Sequence, residues 1–568
     1  MDTFDYLFTF QKSSPCCGQD IDKQCSCRSS SPKKSSSPWK WKTFNPFPPT
    51  TVSPINVPLL LEILKLDPNR ARARFLSRGF YVGFRIGFTG ALLPTRPRNL
   101  LSARNNPDGV RKAIHKEISK GHTAGPFETP PFEVTHVSPL GAVEKPDGSY
   151  RLILDLSSPR GCSINEGIPK DQYSVQFSKF DEALDLVRRA GRGCMMAKID
   201  IESAFRIVPV HPDDWNKLCF SLDGFYFTDT RLSFGSRSSP FIFNTFADFL
   251  AWFLSSIIGI ALLVHYLDDF FISSPNFDSC QSQMNKMLNF CKLLGVPVNM
   301  KKVFGPLPSI PYLGIQIDSN AMVCRLPEEK LSDIQNILKS WLHKKSCTKR
   351  NLLSLIGKLS FACKVVKPGR IFLRRLIDLS MTTQHLDHFI HLNQEAKADI
   401  LWWHDFIVQW NGVSIIPSLP SQKKLSLFTD ASMFGIGGFL GPNWFSVPVP
   451  STHKDIHINV KELVAVLAAI SAWADILSNK EVVLFSDNLT IVQAWTGGTS
   501  SSKVLMNLIR KIFLLSAKYG ISLHLRHIFG FQNFKADALS RLLIQKFKDL
   551  HPVAKENPTW INPAVWSL

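Results

Sequence analysis

Two adjacent acidic residues, Asp268 and Asp269, stand between two apolar runs near the middle of the 568-residue chain. The runs, Ala261 to Val264 and Phe270 to Ile272, predict a β-hairpin with both carboxylates at or beside its turn. Apolar surroundings would require a strong positive partner for them, and a divalent metal ion suits carboxylate oxygens. The alternative is an ordinary Asp-Asp turn on a surface hairpin, which this motif alone favours.

A third acid, Asp200, ends the apolar run MMAKID and predicts a second strand that meets a carboxylate. Alone, it would be a cap or a surface residue. With Asp268 and Asp269 it could hold two metal ions about 3.5–4 Å apart. Such a pair activates an attacking hydroxyl and neutralises charge on a transferring phosphate.

Four further acids repeat this pattern in the last third of the chain. Asp430 and Asp487 end the strand-like runs LSLFTD and VVLFSD, Glu462 interrupts the apolar helix KELVAVLAAI, and Asp537 opens a helical run. Singly, Asp487 could lie in a turn and Asp537 could be a helix N-terminal charge. Together the four acids suggest a second two-metal phosphodiester site.

The composition favours a nucleic-acid partner. Lys and Arg number 66 against 46 Asp and Glu, a net charge of +20, although a merely basic protein is the alternative. The 12 cysteines lie mostly in apolar contexts and predict a reduced, intracellular protein, cytoplasmic or nuclear and not secreted. No zinc spacing fits the one cluster, Cys16, Cys17, Cys25 and Cys27.

The start of the chain has no basic segment of the kind that opens a signal peptide. The apolar stretch Phe249 to Val264 is short for a membrane span and runs into His265 and the paired acids, which predicts a buried helix followed by a core strand. No membrane partner is therefore expected.

Six segments are predicted along the chain. They are a disordered Ser/Pro-rich segment at 1–57, a basic N-terminal extension at 58–125, an α+β region at 126–320, a mostly helical region at 321–422, an α/β domain at 423–545 and a C-terminal tail at 546–568. Helix-like runs within the α+β region lie at 178–190, 240–257 and 280–294.

Six motifs in this order resemble those of reverse transcriptases. KIDIESAF, LSFGSRSSP (232–240) and YLDD resemble the family's A, B and C motifs; KPDGSYRLILDLS (145–157) resembles its fingers motif; GVPVNMKK (295–302) and YLGIQID (312–318) resemble the two that follow. Each motif is weak, but six in order are specific. The resemblance implies a right-hand polymerase, with fingers and palm at 126–320 and thumb and connection at 321–422.

The resemblance also implies roles for individual residues. Asp200, Asp268 and Asp269 would bind or position Mg²⁺, with Mn²⁺ as the alternative. The residues implied in handling the deoxynucleoside triphosphate are Lys145 and Arg151 at the phosphates, Phe205 as a steric gate against a ribose 2′-hydroxyl, Gly235 in close backbone approach, and Lys301 or Lys302 at the leaving pyrophosphate. Phe234 departs from the Gln of many retroviral enzymes.

Asp430, Glu462, Asp487 and Asp537 resemble the Asp-Glu-Asp-Asp set of ribonuclease H, which implies a ribonuclease H-like α/β domain. The resemblance is incomplete, since Phe531 follows Gly530 where many such domains carry His. His527 lies nearby and could substitute for it.

The segments FLSRGFYVGFRIGF, KPGRIFLRRL and NFKADALSR are most similar to DIRS-type retrotransposon polymerases, and less so to Ty3/gypsy-like or pararetroviral ones. The implied function is an RNA-directed DNA polymerase with an attached ribonuclease H, and the implied partners are an RNA template, a DNA primer and the RNA–DNA hybrid. Basic residues at 357–376, among them Arg375, predict a helix that follows the hybrid backbone, a solvated basic face being the alternative. The oligomeric state stays open.

Two other functions compete with this one. A domesticated or decayed nucleic-acid-binding protein would not need catalytic acids, yet all seven expected carboxylates are present. An RNA-copying RNA polymerase would share the palm chemistry, but Phe205 and the second acidic set oppose it.

Overall fold

The computed structural model describes residues 53–409, 413–414, 424–478 and 480–567, which divide into two compact units. The first unit holds residues 53–313 and 317–322, and the second holds residues 314–316 and the described residues from 323 onward. The cysteine cluster at 16–27 and most of the segment predicted as disordered lie outside the described residues.

The first unit mixes helices and strands. Its α-helices are α1 (Val57–Leu64), α2 (Arg70–Val82), α3 (Leu101–Arg104), α4 (Pro107–Ser119), α5 (Phe180–Ala190), α6 (Ser239–Ser256) and α7 (Phe277–Leu294). Its strands are β1 (Thr123–Phe127), β2 (Leu140–Glu144), β3 (Tyr150–Leu154), β4 (Met195–Asp200), β5 (Cys219–Leu222), β6 (Phe225–Asp229), β7 (Leu263–Tyr266), β8 (Asp269–Ser274), β9 (Phe304–Leu307) and β10 (Ser309–Tyr312), with β11 (Ile315–Asp318) at the boundary. The three predicted helical runs are confirmed as α5, α6 and α7.

A four-stranded antiparallel sheet in the order β7-β8-β4-β9 positions the first acidic set. Helices α5, α6 and α7 pack against it. The buried residues of α6 recur at helical spacing, as Ile242, Phe246, Phe249 and Phe253 do, so one face of the helix enters the core. Because β4 and β8 are antiparallel neighbours, the end of β4 and the start of β8 lie at the same edge of the sheet.

The apolar stretch Phe249 to Val264 forms the end of α6 and the start of β7, which confirms the predicted buried helix and strand. Within the ranges that the structure describes, no helix has the length and apolar character needed to cross a membrane.

The region predicted as a basic extension belongs to the first unit. Leu60, Leu76 and Phe80 are fully buried in the same core as α6, and the Phe80 ring centroid lies 4.9 Å from that of Phe246. The buried residues of α1 and α2 recur three or four positions apart, so each helix presents a buried stripe to this core.

The second unit combines helices with a mixed sheet. Its α-helices are α8 (Glu328–Leu342), α9 (Lys349–Ala362), α10 (Arg374–Ser380), α11 (Gln394–Gln409), α12 (Ile458–Ala472), α13 (Ala474–Leu477), α14 (Leu489–Gly497), α15 (Lys503–Lys518), α16 (Phe534–Ser540) and α17 (Ile544–Leu550). Its strands are β12 (Val323–Arg325), β13 (Ser346–Thr348), β14 (Phe389–His391), β15 (Val413–Ser414), β16 (Leu425–Ala431), β17 (Gly435–Leu440), β18 (Asn443–Pro448), β19 (Glu481–Ser486) and β20 (Ser522–His527).

The five-stranded sheet of this unit runs in the order β18-β17-β16-β19-β20. Strands β16, β19 and β20 are parallel, whereas β17 and β18 are antiparallel to their neighbours. Because parallel strands end at the same edge of a sheet, the carboxyl ends of β16 and β19 bring Asp430 and Asp487 together.

The helical region packs directly on α15. Phe372 stacks on Trp402 with ring centroids 3.7 Å apart. Asp399, 2% exposed, faces Arg375 at 3.3 Å and Arg510 of α15 at 3.5 Å. Arg375, predicted to follow a hybrid backbone, therefore lies in an internal ion-pair network.

Residues 546–567, predicted as a tail, pack on the mixed sheet instead. The Trp444 indole donates a hydrogen bond of 2.7 Å to the carbonyl of Lys555, and the Trp473 indole donates one of 3.1 Å to the hydroxyl of Thr559. Two buried indole N–H groups thus find their acceptors in this segment.

Candidate active sites

The first acidic set meets at the β7–β8 hairpin, which confirms the predicted hairpin. Leu267 turns the chain in the left-handed region at φ 52°, and Asp269 opens β8 as the cross-strand partner of Asp200. The backbone N–H of Ile201 donates a 3.0 Å hydrogen bond to the carbonyl of Asp268. The three acids predicted from two distant segments therefore lie at one edge of one sheet.

Two lysines offset the charge of these acids. Lys302 Nζ lies 3.1 Å from Oδ2 of Asp200, and Lys198 Nζ lies 3.1 Å from Oδ1 of Asp269. Burial and the neighbouring carboxylates of Asp269 and Asp200 raise the pKa of Asp268 to about 6. Burial also raises the pKa of Asp269 against the opposing pull of Lys198.

This donor set fits a hard divalent cation. Carboxylate oxygens are the ligands that Mg²⁺ and Mn²⁺ prefer. Burial is the main cause of the raised pKa of Asp268, and the carboxylates of Asp269 and Asp200 add to it, so an ionised Asp268 lacks positive charge around it. A bound cation would supply the missing positive charge.

Two aromatic rings lie beside Arg151, one of the predicted triphosphate residues. The Phe205 ring lies 5.1 Å from that of Phe234, and the guanidinium of Arg151 lies 5.0 Å over Phe234. Arg151 is exposed on β3, so its charge is available to an anion. Lys145 lies in the turn between β2 and β3, where its backbone N–H bonds the carbonyl of Ser149 at 2.7 Å.

Gly235 is required by the protein itself. Its φ is +110°, and a Cβ there would lie 1.9 Å from the carbonyl oxygen of Leu154. A side chain at this position would clash with β3 before any nucleotide is considered. The close backbone approach predicted for Gly235 therefore has a partner within the chain.

Of the two lysines considered for pyrophosphate release, Lys302 reaches the acids through Asp200, and Lys301 is exposed beside it. Sequence reasoning missed Lys198. The alternation of β4 offered a signal, since Lys198 shares a strand face with Asp200 two residues later.

A buried histidine supports the hairpin turn and was not recognised as a site residue from the sequence. His265 Nε2 lies 2.9 Å from Oδ1 of Asp248 on α6, and Nδ1 lies 3.3 Å from the carbonyl of Leu267. Asn244 donates a 3.0 Å hydrogen bond to the same Asp248 carboxylate. This chain of contacts connects α6 to the turn that carries Asp268.

Three acids of the second set form a tight cluster. Asp430, Glu462 and Asp487 each place a carboxylate oxygen within 4.8 Å of the other two. Glu462, 4% exposed, lies on α12, which packs on β16, and its Oε2 has no hydrogen-bond partner among the described residues. An unpartnered buried carboxylate oxygen beside two other acids fits a divalent cation.

Asp537 and His527 lie beside this cluster in different arrangements. Asp537 forms an ion pair with Arg541, whose Nε lies 2.7 Å from its Oδ1. The hydroxyl of Ser540, on the same helix, donates a hydrogen bond to Oδ2 of Asp430. His527 Nε2 lies 3.2 Å from the backbone carbonyl of Asp487. The structure thus brings three of the four predicted acids into one cluster, with the fourth on an adjoining helix.

Burial dominates the electrostatics of the second cluster. It raises the pKa of Asp430 to about 7, aided by Asp487 and Asp537 and opposed by the Ser540 hydrogen bond. The pKa of Glu462 lies well above its usual value for the same reason, with Asp430 and Asp487 adding to it.

We expect the metal-free protein to lose stability as the pH rises from about 4 to about 7. Over this range the folded state holds protons on Asp430 and Glu462 that the unfolded chain has released. Thermal unfolding in EDTA should show this slope, and Mg²⁺ should raise the unfolding temperature at pH 8 more than at pH 5.5. Glu462→Gln should flatten the slope, whereas exposed Asp475→Asn should preserve it; equal slopes in all three proteins would contradict the interpretation.

Comparison with known families identifies part of the chain. Residues 143–317 match the family described as Reverse transcriptase (RNA-dependent DNA polymerase). This segment is a reverse transcriptase domain. The reverse transcriptase domain contains Asp200, Asp268 and Asp269, and the acids of the second cluster lie beyond its matched range.

The curated relatives of the chain include transposon polyproteins of Schizosaccharomyces pombe. Transposon Tf2-3 polyprotein is 21% identical and Transposon Tf2-7 polyprotein is 20% identical, each in an alignment of 477 positions that covers 79% of this chain. The chain spans about a third of the length of these relatives, 32% in each case.

Among solved structures, the chain is similar to foamy viral protease-reverse transcriptase. The structure in complex with RNA/DNA hybrid matches with a TM-score of 0.48 and 17% identity, covering 85% of this chain and 64% of that one. The structure in complex with dsDNA matches with a TM-score of 0.47 and 18% identity, covering 85% and 99%.

Proposed function

We propose that the chain is an RNA-directed DNA polymerase of a retrotransposon with an attached ribonuclease H-type nuclease. The observation that carries the proposal is the meeting of Asp200, Asp268 and Asp269 at one sheet edge inside the reverse transcriptase domain. The second cluster supports the nuclease. DNA synthesis on RNA leaves a hybrid, and a second phosphodiester site on the same chain can remove its RNA strand.

In the polymerase site, Asp200, Asp268 and Asp269 would hold Mg²⁺. A bound pair of such ions supplies activation of the attacking hydroxyl and neutralisation of charge on the transferring phosphate. Arg151 binds the triphosphate of the incoming deoxynucleotide, and Lys145 adds positive charge from the β2–β3 turn. Gly235 keeps the backbone beside β3 free of a side chain.

Two lysines of this site offset part of its negative charge. Lys198 and Lys302 hold Asp269 and Asp200 as ion pairs in the absence of a cation. If a cation takes the place of Lys302 at Asp200, the exposed side chains of Lys302 and its neighbour Lys301 can turn toward the phosphates that leave as pyrophosphate.

In the nuclease site, Asp430, Glu462 and Asp487 would hold Mg²⁺, and Asp537 would complete the set from α16. The hydroxyl of Ser540 orients Asp430. His527, whose Nε2 lies 3.2 Å from the backbone carbonyl of Asp487, would shuttle a proton beside the cluster.

The partners follow from this chemistry as an RNA template, a DNA primer, the RNA–DNA hybrid and deoxynucleoside triphosphates. The proposed relationship to DIRS-type elements rests on the three segments FLSRGFYVGFRIGF, KPGRIFLRRL and NFKADALSR. The matched transposon polyproteins support a retrotransposon origin.

Primer extension on an RNA template tests the polymerase. Purified protein with Mg²⁺ and deoxynucleotides should lengthen a DNA primer, and EDTA should stop the reaction. A folded protein that extends no primer with either Mg²⁺ or Mn²⁺ would refute the polymerase.

We expect Phe205→Val to admit ribonucleotides. The smaller side chain leaves room for a 2′-hydroxyl, so discrimination in favour of deoxynucleotides should fall by about 10- to 100-fold. The ratio of kcat/KM for the two nucleotides measures the effect, and Phe277→Val, at an exposed position on α7, is the control. Unchanged discrimination in Phe205→Val would remove the gate from this residue.

A further inference from the structure

Two exposed phenylalanines stand on the loop that follows β20. Phe529 is 63% exposed and Phe531 is 76% exposed. Their rings are nearly parallel, with an interplanar angle of 7° and centroids 5.7 Å apart. Large apolar rings held parallel in solvent mark a surface that binds something.

The loop is anchored at both ends to the strands that carry the second acidic cluster. At its start, the backbone N–H of Ile528 donates a 3.0 Å hydrogen bond to the carbonyl of Ser486, the residue before Asp487. At its end, the fully buried Asn533 donates a 3.1 Å hydrogen bond to the carbonyl of Thr429, the residue before Asp430. The rings therefore have a fixed place relative to both acids.

Gly530, between the two phenylalanines, approaches the cluster itself. A Cβ at Gly530 would lie 3.3 Å from Oδ2 of Asp487. The backbone between the rings thus borders the carboxylate at which a scissile phosphate would bind. A nucleic-acid strand bound at these acids would therefore lie close to the loop that carries Phe529 and Phe531.

We propose that Phe529 and Phe531 form a stacking platform for an unpaired base of the nucleic-acid strand held at the second acidic cluster. This inference rests on the nuclease proposed for that cluster. Bases expose flat apolar faces that stack on aromatic side chains regardless of sequence. Within a duplex those faces are covered by neighbouring pairs, so the platform suits a single-stranded segment that adjoins the hybrid. Arg526, exposed on β20, adds positive charge for the phosphate backbone of that single-stranded segment.

The test uses the full chain in EDTA, so that no strand is cut. One hybrid carries a single-stranded overhang with 5-iodouracil, and a second hybrid is blunt. Irradiation should cross-link the overhang to the peptide that contains Phe529 and Phe531. Phe529→Ala/Phe531→Ala should abolish this cross-link and lower affinity for the overhang hybrid at least about fivefold, with affinity for the blunt hybrid unchanged.

Two further variants control for folding and for exposed apolar area. Phe529→Tyr/Phe531→Tyr keeps the ring faces and should keep both the cross-link and the affinity. Phe389, on β14 of the same unit, is 76% exposed, as Phe531 is. Phe389→Ala should therefore change neither the cross-link nor the affinity.

Three results would overturn the platform. One is a cross-link that maps elsewhere, and another is an equal loss of affinity for blunt and overhang hybrids. The third is self-association of the wild type, seen by sedimentation, that the double Ala variant lacks, because the rings would then be a protein interface. Cleavage of the blunt hybrid in Mg²⁺ reports separately on the nuclease, so absent cleavage with an intact cross-link would reject the nuclease and leave a binding platform.

Discussion

Asp268→Asn should lower DNA synthesis by roughly a thousandfold, about 4 kcal/mol of barrier at 1.36 kcal/mol per tenfold. Asp268 lies in the turn that Leu267 forms, and its pKa of about 6 reflects burial among other carboxylates. Asparagine keeps the shape of the side chain and the backbone carbonyl that bonds Ile201, but it removes the anionic oxygen that a cation needs.

Steady-state primer extension on an RNA template measures this loss. Asp278→Asn, an exposed change at the start of α7, is the matched control and should extend normally. Cleavage of a preformed hybrid by Asp268→Asn should stay within about twofold of wild type, since folding and the second cluster are untouched. Undiminished extension would show that Asp268 is only a turn residue.

Asp487→Asn should produce the opposite pattern. It removes one of three carboxylates that lie within 4.8 Å of one another, so cutting of hybrid RNA should fall by roughly a thousandfold. Asp487 follows β19, and its backbone carbonyl near His527 is unchanged by the substitution. Primer extension should remain within about twofold of wild type.

Gel analysis of labelled RNA in a preformed hybrid measures the cutting. Asp475→Asn, exposed on α13 of the same unit, is the control and should cut normally. Full cutting by Asp487→Asn would exclude this cluster as the nuclease site, and loss of extension with intact cutting would mean that the two sites had been assigned in reverse.

The strands and helices that carry the acids could be predicted from local sequence. Asp200 and Asp487 each end or follow an apolar run of strand length, Glu462 interrupts an apolar helix, and the hairpin at Asp268 follows from two apolar runs in sequence. The parallel pairing of β16 and β19, which was not predicted from the sequence, places Asp430 beside Asp487.

The supporting contacts could not be predicted, because they join residues far apart in the chain. Asp248 reaches His265 only because α6 packs beside β7, and Ser540 reaches Asp430 only because α16 packs on β16. The apolar content of residues 546–567 gave too weak a period to predict that this segment supplies acceptors for Trp444.

The local signal also left the reason for Gly235 incomplete. The sequence marked a position that needs glycine, but only the structure shows Leu154 as the group that a side chain would strike. For Asp537 the helix was predicted but its partner was not. Its ion pair with Arg541 arises from a helical spacing of four, which the pattern of acidic residues does not include.

The most direct test follows both nucleic-acid strands in one reaction, with the RNA template and the DNA primer carrying different labels. Wild type should lengthen the primer and shorten the template; Asp268→Asn should do neither on this substrate but should cut a preformed hybrid; Asp487→Asn should lengthen the primer and leave the template intact. A single variant that abolishes both activities in a folded protein, or a wild type that lengthens the primer but never cuts the template, would contradict two independent sites on one chain.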